Sequence, residues 1–130
     1  MTARIPLAAL LILGGFAFGQ AAQASSSDRG EALFETICSN CHSVASPPRN
    51  KMGPRLLGVV GRPIGAADGY RYSDGFAAIG AAWTPEFLDA YLVNPKLLAP
   101  NGRMNFKGLS DIADRAAIIA YLASQNHAPD

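Results

Sequence analysis

The stretch from Ser43 to Tyr72 contains four prolines and five glycines and lies between segments with helical patterns. Proline lacks a backbone donor and glycine loses much conformational freedom on ordering, so neither favours the interior of a helix or strand. We therefore predict that this stretch is loop. A loop of this length in a small domain normally surrounds something. The 13 glycines and 9 prolines of the whole chain also argue against a long coiled coil or a simple bundle.

The first 24 residues have the pattern of a secretory signal peptide. One basic residue, Arg4, precedes an apolar run from Ile5 to Phe18, and small residues at positions 22 and 24 precede three serines. The run is shorter than the roughly 20 residues that cross a membrane, which disfavours a retained anchor. We predict export to the periplasm, cleavage near Ala24 and one mature domain over residues 25–130.

Charge and cysteine content exclude two classes of protein. Without Arg4 the chain has 10 basic and 10 acidic residues, so no strong field attracts nucleic acid or an anionic membrane. The only cysteines, Cys38 and Cys41, are three positions apart, and a disulfide between them would barely constrain the unfolded chain. A small domain rich in helix breakers buries little apolar surface, so we expect another stabilising group in the core.

Helical signals occur near both ends of the mature chain. Asp28, with Glu31 three residues on, predicts the start of a first helix that runs to about Ser39. Asp111, with Asp114 three residues on, predicts the start of a last helix that frays near residue 126.

Two further helical signals lie between these helices. Thr84 followed by Pro85 predicts a capped helix, and Asn94-Pro95 predicts a short helical turn that ends near Pro100. No strand-like alternation of useful length occurs, so the predicted fold class is all-α.

The sequence Cys38-Ser39-Asn40-Cys41-His42 carries the chemistry. Two thiols at i and i+3 project to one side of a helix end, which is the spacing for covalent attachment of haem c, and the next histidine then reaches the iron. A thioredoxin-like redox pair would need a preceding strand and a βαβ unit. A zinc site would need a second pair of ligands, and the only other histidine is His127.

The ligand on the other face of the iron decides between an electron carrier and a catalyst. The candidates are Met52, Met104 and His127. Met104 is favoured because it lies in a proline- and glycine-containing turn before the last helix, whereas Met52 is expected at the surface or in packing. A thioether ligand raises the reduction potential and closes the iron to small ligands.

From Gly30 to Leu122 the sequence resembles the class I cytochromes c, specifically the mitochondrial and soluble alphaproteobacterial subgroup. The motifs that carry the resemblance occur in the family's order. They are Gly30 and Phe34, Cys38-x-x-Cys41-His42, Gly53-Pro54-x-Leu56, Gly61-Arg62, Tyr70-x-Tyr72, Trp83, Tyr91-Leu92-x-Asn94-Pro95-Lys96, Pro100 to Met104 with Phe106, and Ile118-x-x-Tyr121-Leu122.

The resemblance implies a cytochrome c fold, in which the N- and C-terminal helices cross and the loops wrap a covalently attached haem. Gly30 and Phe34 would meet Tyr121 at the crossing, and the Pro54 carbonyl would accept a hydrogen bond from His42. The implied site residues are Cys38 and Cys41 for attachment, His42 and Met104 for the iron, Arg62, Tyr72 and Trp83 around the propionates, and Tyr91 as donor to the Met104 sulfur.

The sequence departs from the family pattern near the haem. Gly102 lacks the hydroxyl that the family commonly has before its ligand methionine, and Phe76 replaces an asparagine. The basic residues around the exposed haem edge are also few. They are Lys51, Lys96, Arg103, Arg49 and Lys107.

The resemblance implies a one-electron carrier of a respiratory or photosynthetic chain, and not an enzyme. Its partners would be redox complexes that it docks with transiently: a quinol-cytochrome c oxidoreductase or dehydrogenase as donor, and an oxidase or reaction centre as acceptor. We expect a monomer. The alternative is a haem enzyme or gas-binding protein, peroxidase-like, with a labile sixth ligand.

Overall fold

The computed structural model describes residues 25–127. Its elements are α1 (Ser26–Ile37), a 3-10 turn (Ala77–Ile79), α2 (Pro85–Val93), α3 (Pro95–Leu98), α4 (Ile112–Ser124) and a second 3-10 turn (Gln125–His127). Within residues 25–127 there is no strand, only an isolated bridge between Pro63 and Ala82, so the all-α prediction is confirmed. No helix in that range is both long and apolar enough to cross a membrane. The predicted signal peptide, residues 1–24, lies outside the described residues.

The start of α1 corrects one prediction. The N-cap is Ser25 and not Asp28, and the helix ends at Ile37 rather than near Ser39. The Ser25 hydroxyl accepts from the Asp28 backbone N–H at 3.1 Å, and the Asp28 carboxylate accepts from the Ser25 N–H at 3.0 Å. Serine followed three residues later by an acid is itself a capping box. Asp28 therefore acts inside the first turn.

The other helix starts are as predicted. Thr84 caps α2 through its hydroxyl, which accepts from the Phe87 N–H at 3.1 Å. Asn94 caps α3 and Asp111 caps α4. The segment from Ser43 to Tyr72 contains turns and bends but no helix, as its prolines and glycines predict.

α1 and α4 cross in direct contact at Gly30. A Cβ atom built at Gly30 would lie 2.0 Å from the Ala117 carbonyl oxygen, so only glycine allows this approach. The rings of Phe34 and Tyr121 pack next to it with centroids 5.4 Å apart. The predicted meeting of these residues at a helix crossing is confirmed.

The core lies between the helices and the irregular segments. Its buried members come from α1, α2 and α4 and from the connections between them, among them Val59, Ile64 and Trp83. Partly buried side chains that pack against this cluster include Cys38 and Met104. The cluster therefore connects the thiol end of α1 with the segment that follows α3.

Candidate functional site

The two thiols lie where α1 ends. Cys38 is the C-cap of α1, and its N–H donates to the Phe34 carbonyl at 2.8 Å. The N–H groups of Cys41 and His42 both donate to the Cys38 carbonyl, at 3.1 and 2.9 Å. A tight turn therefore fixes both thiols and the histidine at one helix end, and both thiols are free and half-buried.

The acidity of Cys38 disfavours the redox-pair interpretation. Burial, and secondarily the neighbouring Cys41 thiol, raise the pKa of Cys38 to about 11. Reactive cysteine pairs have thiol pKa values below the usual range, because an electropositive setting stabilises the thiolate. The Cys38 thiol remains protonated at neutral pH, whereas disulfide exchange depends on the thiolate.

His42 is held through one of its two ring nitrogens. Its Nδ1 lies 2.7 Å from the Pro54 carbonyl oxygen, the contact that the resemblance implies. Burial lowers the pKa of His42, against an opposing effect of the Pro54 carbonyl, so the imidazole is neutral. With Nδ1–H donating to a carbonyl, Nε2 has the lone pair that a metal ligand needs.

Gly53 explains how this ring is positioned. A Cβ atom at Gly53 would lie 2.5 Å from Cε1 of the His42 ring, so the imidazole packs directly on the backbone of this glycine. The Gly53 N–H also donates to the Cys41 carbonyl at 2.7 Å. The Gly-Pro pair thus supplies both a surface and a hydrogen-bond acceptor for the histidine.

Met104 has a polar partner in the core. The Tyr91 hydroxyl donates to the Met104 sulfur at 3.5 Å, as the resemblance implies. Tyr91 is buried, and burial raises its pKa to about 12, so this hydroxyl stays a donor throughout the physiological range. The Trp83 ring packs edge-on against Tyr91 with centroids 4.9 Å apart. Met104 is thereby held in one place.

The other two candidates for the second axial ligand differ from Met104. Met52 is 79% exposed, and its sulfur lies 3.9 Å from the Cys41 sulfur. Met52 directly precedes Gly53, on which the His42 ring packs, and its exposure fits the expected surface position. The side chain of His127 lies outside the described part of the chain.

Arg62 has a buried donor that fits a carboxylate. Its Nη1 and Nη2 donate to the carbonyls of Leu57 and Arg55 at 3.2 and 2.8 Å. Its Nε is buried and has no partner among residues 25–127. Burial also lowers the pKa of Arg62. A buried guanidinium donor without an acceptor costs free energy, and a haem propionate would supply the missing acceptor.

Trp83 is joined to Arg62 by a backbone hydrogen bond, and Phe76 packs between the rings of Tyr72 and Trp83. The Trp83 N–H donates to the Arg62 carbonyl at 2.9 Å. Phe76 stacks on Tyr72 with centroids 5.2 Å apart and lies 6.2 Å from the Trp83 ring. The Tyr72 oxygen accepts from the Ala67 N–H at 3.2 Å, which leaves its own hydrogen to donate. The Tyr72 hydroxyl hydrogen and the Arg62 Nε–H fit the acidic groups of a haem, so the residues present suit that cofactor.

Sequence reasoning missed the contacts between residues 71–79 and residues 98–103. Arg103 donates to the Tyr72 carbonyl at 3.3 Å, and a cleft of about 500 Å³ lies beside this contact, bordered by Arg71, Ser73, Asp74 and Asn101. No local pattern predicts this pairing, because the two segments are about 30 positions apart.

The packing of the turn around Gly102 explains why a residue without a side chain stands at this position. A Cβ atom there would lie 3.0 Å from the Ala99 carbonyl oxygen and 3.2 Å from the Ala99 methyl group. The Gly102 N–H donates to the same carbonyl at 2.9 Å. Any side chain at position 102 would therefore require Ala99 to move by a few tenths of an ångström.

The comparisons with known proteins agree with this site. Residues 27–126 match the sequence model of the family described as cytochrome c. Cytochrome c2 of Rhodopila globiformis is 45% identical over 93 residues, which are 72% of this chain and 87% of that protein. Cytochrome c of Gibberella zeae is 43% identical over 94 residues, 72% of this chain and 89% of that protein.

A third relative is longer. Cytochrome c-type cyt cy of Rhodobacter capsulatus is 44% identical over 93 residues, and the match spans 46% of its length. The matched region contains the two thiols and the histidine with the spacing of covalent haem attachment. The chain therefore belongs to the cytochrome c family: it is a class I cytochrome c, an electron carrier with covalently bound haem c and its iron.

Proposed function

We propose that this cytochrome is an exported one-electron shuttle, not an enzyme, with His42 and Met104 as the two axial ligands of the iron. The observation that carries this proposal is the hydrogen bond from the buried Tyr91 hydroxyl to the Met104 sulfur at 3.5 Å. It holds the thioether in a defined position, which favours a permanently bound ligand over a labile one. A protein whose iron keeps both ligands has no open position for a substrate.

Each residue of the site has a separate task. The bound haem supplies reversible one-electron exchange between ferrous and ferric iron. Cys38 and Cys41 would hold it by thioether bonds, and the Pro54 carbonyl fixes the direction of the His42 ring. Arg62, Tyr72 and Trp83 would bind the propionates, while the surrounding apolar side chains exclude water.

The sequence pattern supports the proposed location, and membership of the cytochrome c family supports partners that are redox proteins. The signal-peptide pattern of residues 1–24 supports export to the periplasm, with cleavage near Ala24. We propose that the donor is a quinol-cytochrome c oxidoreductase or a dehydrogenase, and that the acceptor is an oxidase or a reaction centre. Such encounters are small and transient, as suits a shuttle.

An optical measurement tests the axial ligation and the function together. The ferric protein should show the weak sulfur-to-iron charge-transfer band of methionine ligation. The ferrous protein should not bind carbon monoxide, because both axial positions are filled. Rapid carbon monoxide binding by the unaltered protein would favour the alternative, a peroxidase-like or gas-binding haem protein.

The rate of electron transfer should depend weakly on salt. Residues 25–130 contain equal numbers of basic and acidic residues, 10 of each, so long-range attraction to an acidic partner is small. We expect the second-order rate constant with a quinol-cytochrome c oxidoreductase to change by less than about threefold between low and physiological ionic strength. A strongly basic mitochondrial cytochrome c, measured with the same complex, is the control. An equally steep fall for both proteins would contradict the prediction.

A further inference from the structure

We propose that Arg115 is a positioning residue for Met104. Together with Asp89 it holds the 105–110 segment, which joins Met104 to α4, against α2. This restraint sets how often the thioether leaves the iron. The proposal deepens the proposed function and rests on it, because it takes Met104 as an axial ligand. Arg115 acts on Met104 only through the main chain of the 105–110 segment.

The hydrogen bonds of Arg115 lie inside the protein. Arg115 belongs to α4 and is the only buried charged side chain within residues 25–126. Its Nε donates to Oδ1 of Asp89 in α2 at 2.7 Å, and its Nη1 donates to the carbonyls of Leu109 and Ser110 at 2.8 and 2.9 Å. Hydrogen bonds from an ionised donor are stronger than neutral ones, and burial reduces their screening by salt. One guanidinium therefore joins α2, α4 and the end of the 105–110 segment.

The same segment meets the end of α2 through its main chain. The last carbonyls of a helix have no partner within the helix. The Leu109 N–H donates to one of them, the Leu92 carbonyl, at 2.8 Å. Gly108 has a φ of +96°, and a Cβ atom there would lie 1.9 Å from the Val93 carbonyl oxygen. The position of the segment along α2 is thus fixed by backbone contacts on one side and by Arg115 on the other.

α2 also carries the residue that holds the Met104 sulfur. Tyr91 directly precedes Leu92, and its hydroxyl donates to that sulfur at 3.5 Å. Met104 and Leu109, five positions apart, are therefore bound to adjacent residues of one helix. A shift of Leu109 along α2 would move the thioether relative to Tyr91. By holding the Leu109 carbonyl, Arg115 opposes that shift.

The other end of the turn that contains Met104 is held at the surface. Arg103 donates to the Tyr72 carbonyl at 3.3 Å, and the Lys96 ammonium donates to the Gly102 carbonyl. Both donors are exposed. Exposed long side chains compete with water for their partners and lose rotamer freedom when they bind, so such contacts contribute little. The stronger restraint on Met104 outside its contact with Tyr91 is therefore the buried one at Arg115.

Two variants weaken this restraint, and two matched variants serve as controls. Arg115→Lys keeps the charge but lacks the planar fork that reaches Asp89 and two carbonyls at once. Asp89→Asn keeps an acceptor oxygen and removes the negative charge. Arg29→Lys and Asp114→Asn make the same two changes in the ion pair between α1 and α4. Asp114 directly precedes Arg115, but this pair does not hold the 105–110 segment.

The first measurement mixes the ferric holoprotein with imidazole and follows the absorbance of the haem. Imidazole binds the iron only after the thioether has left, so the rate at saturating imidazole equals the rate at which Met104 leaves. Arg115→Lys should raise that rate about tenfold, equivalent to about 1.4 kcal/mol, the size of one hydrogen bond to a charged group. Asp89→Asn should raise it about threefold, about half of that free energy. Both control variants should leave it unchanged.

Equal rates in wild type and Asp89→Asn would overturn the proposal, and this variant alone decides if Arg115→Lys does not fold. An equal rise in the control variants would overturn it as well, because any ion pair of α4 would then have the same effect.

The second measurement separates positioning from a structural role. The ferric holoprotein is heated while the sulfur-to-iron charge-transfer band and far-UV circular dichroism are recorded. If Arg115 only stabilised the fold, both midpoints would fall together. We expect the midpoint of the band to fall further than that of the helices in Arg115→Lys and Asp89→Asn, and the gap to stay at its wild-type value in the controls. Parallel falls in all four variants would overturn the proposal.

Failure of the proposed ligation would appear separately, in the wild-type protein. Absence of the charge-transfer band, or rapid binding of carbon monoxide by the ferrous form, would contradict Met104 as a ligand before any variant is compared.

Discussion

Met104→Ala should lower the reduction potential by about 0.1 V or more, a modest part of the range that axial ligands span. The soft thioether favours ferrous iron, and alanine offers no replacement ligand. The ferrous variant should bind carbon monoxide and the ferric variant should gain peroxidase activity. Potentiometry measures the potential, carbon monoxide titration measures the opening of the ferrous iron, and a peroxidase assay measures the gained activity.

Met52→Ala is the matched control for this prediction. It removes the same thioether from a side chain that is 79% exposed, so the potential should stay the same and the ferrous iron should remain closed. If Met52→Ala opened the iron and Met104→Ala did not, the proposed ligand would be wrong. His127→Ala tests the third candidate in the same way, and we expect it to leave the iron closed.

Helix starts were predictable where one capping signal stood alone. Thr84 before Pro85 has no competing cap nearby. At α4, Asp111 is followed three residues on by an acid, Asp114, whereas the adjacent Ser110 is followed by Ala113. The start of α1 was predicted wrongly because two overlapping signals compete, one from Ser25 to Asp28 and one from Asp28 to Glu31. In the structure Arg29 pairs with Asp114 of α4. That contact joins residues 85 positions apart and has no local signal.

The features of the site that are local in sequence were also predictable, whereas the contacts between distant residues were not predictable from spacing. The thiols and His42 are adjacent in sequence, so their arrangement at one helix end follows from spacing alone. The His42 contact with Pro54 and the Tyr91 contact with Met104 span more than ten residues, and only the resemblance implied them. The stacking of Phe76 on Tyr72 was implied by neither. It depends on how irregular segments fold together, and these lack the periodicity that reveals a buried face.

Gly30→Ala should lower the free energy of unfolding of the holoprotein by about 3 kcal/mol or more, because overpacking a close helix contact forces the backbones apart. The new methyl group would lie 2.0 Å from the Ala117 carbonyl oxygen and 2.7 Å from the Tyr121 Cβ atom. Such a loss is a large share of the stability of a small domain. Denaturant unfolding followed by far-UV circular dichroism measures it, as a lower midpoint with little change in slope.

A methyl group at position 30 would clash mainly with the main chain of Ala117, so no change of a side-chain rotamer can relieve the clash. Trimming the partner side chain by Ala117→Gly leaves the carbonyl oxygen in place, so the double variant should not recover the lost stability. Alanine also has a higher helix propensity than glycine by about 1 kcal/mol, so the measured loss understates the steric cost. Ala32→Gly, at an exposed position of the same helix, gives the propensity effect alone and should cost about 1 kcal/mol. A loss for Gly30→Ala no larger than that would mean that α1 and α4 can move apart at little cost, and it would contradict the prediction.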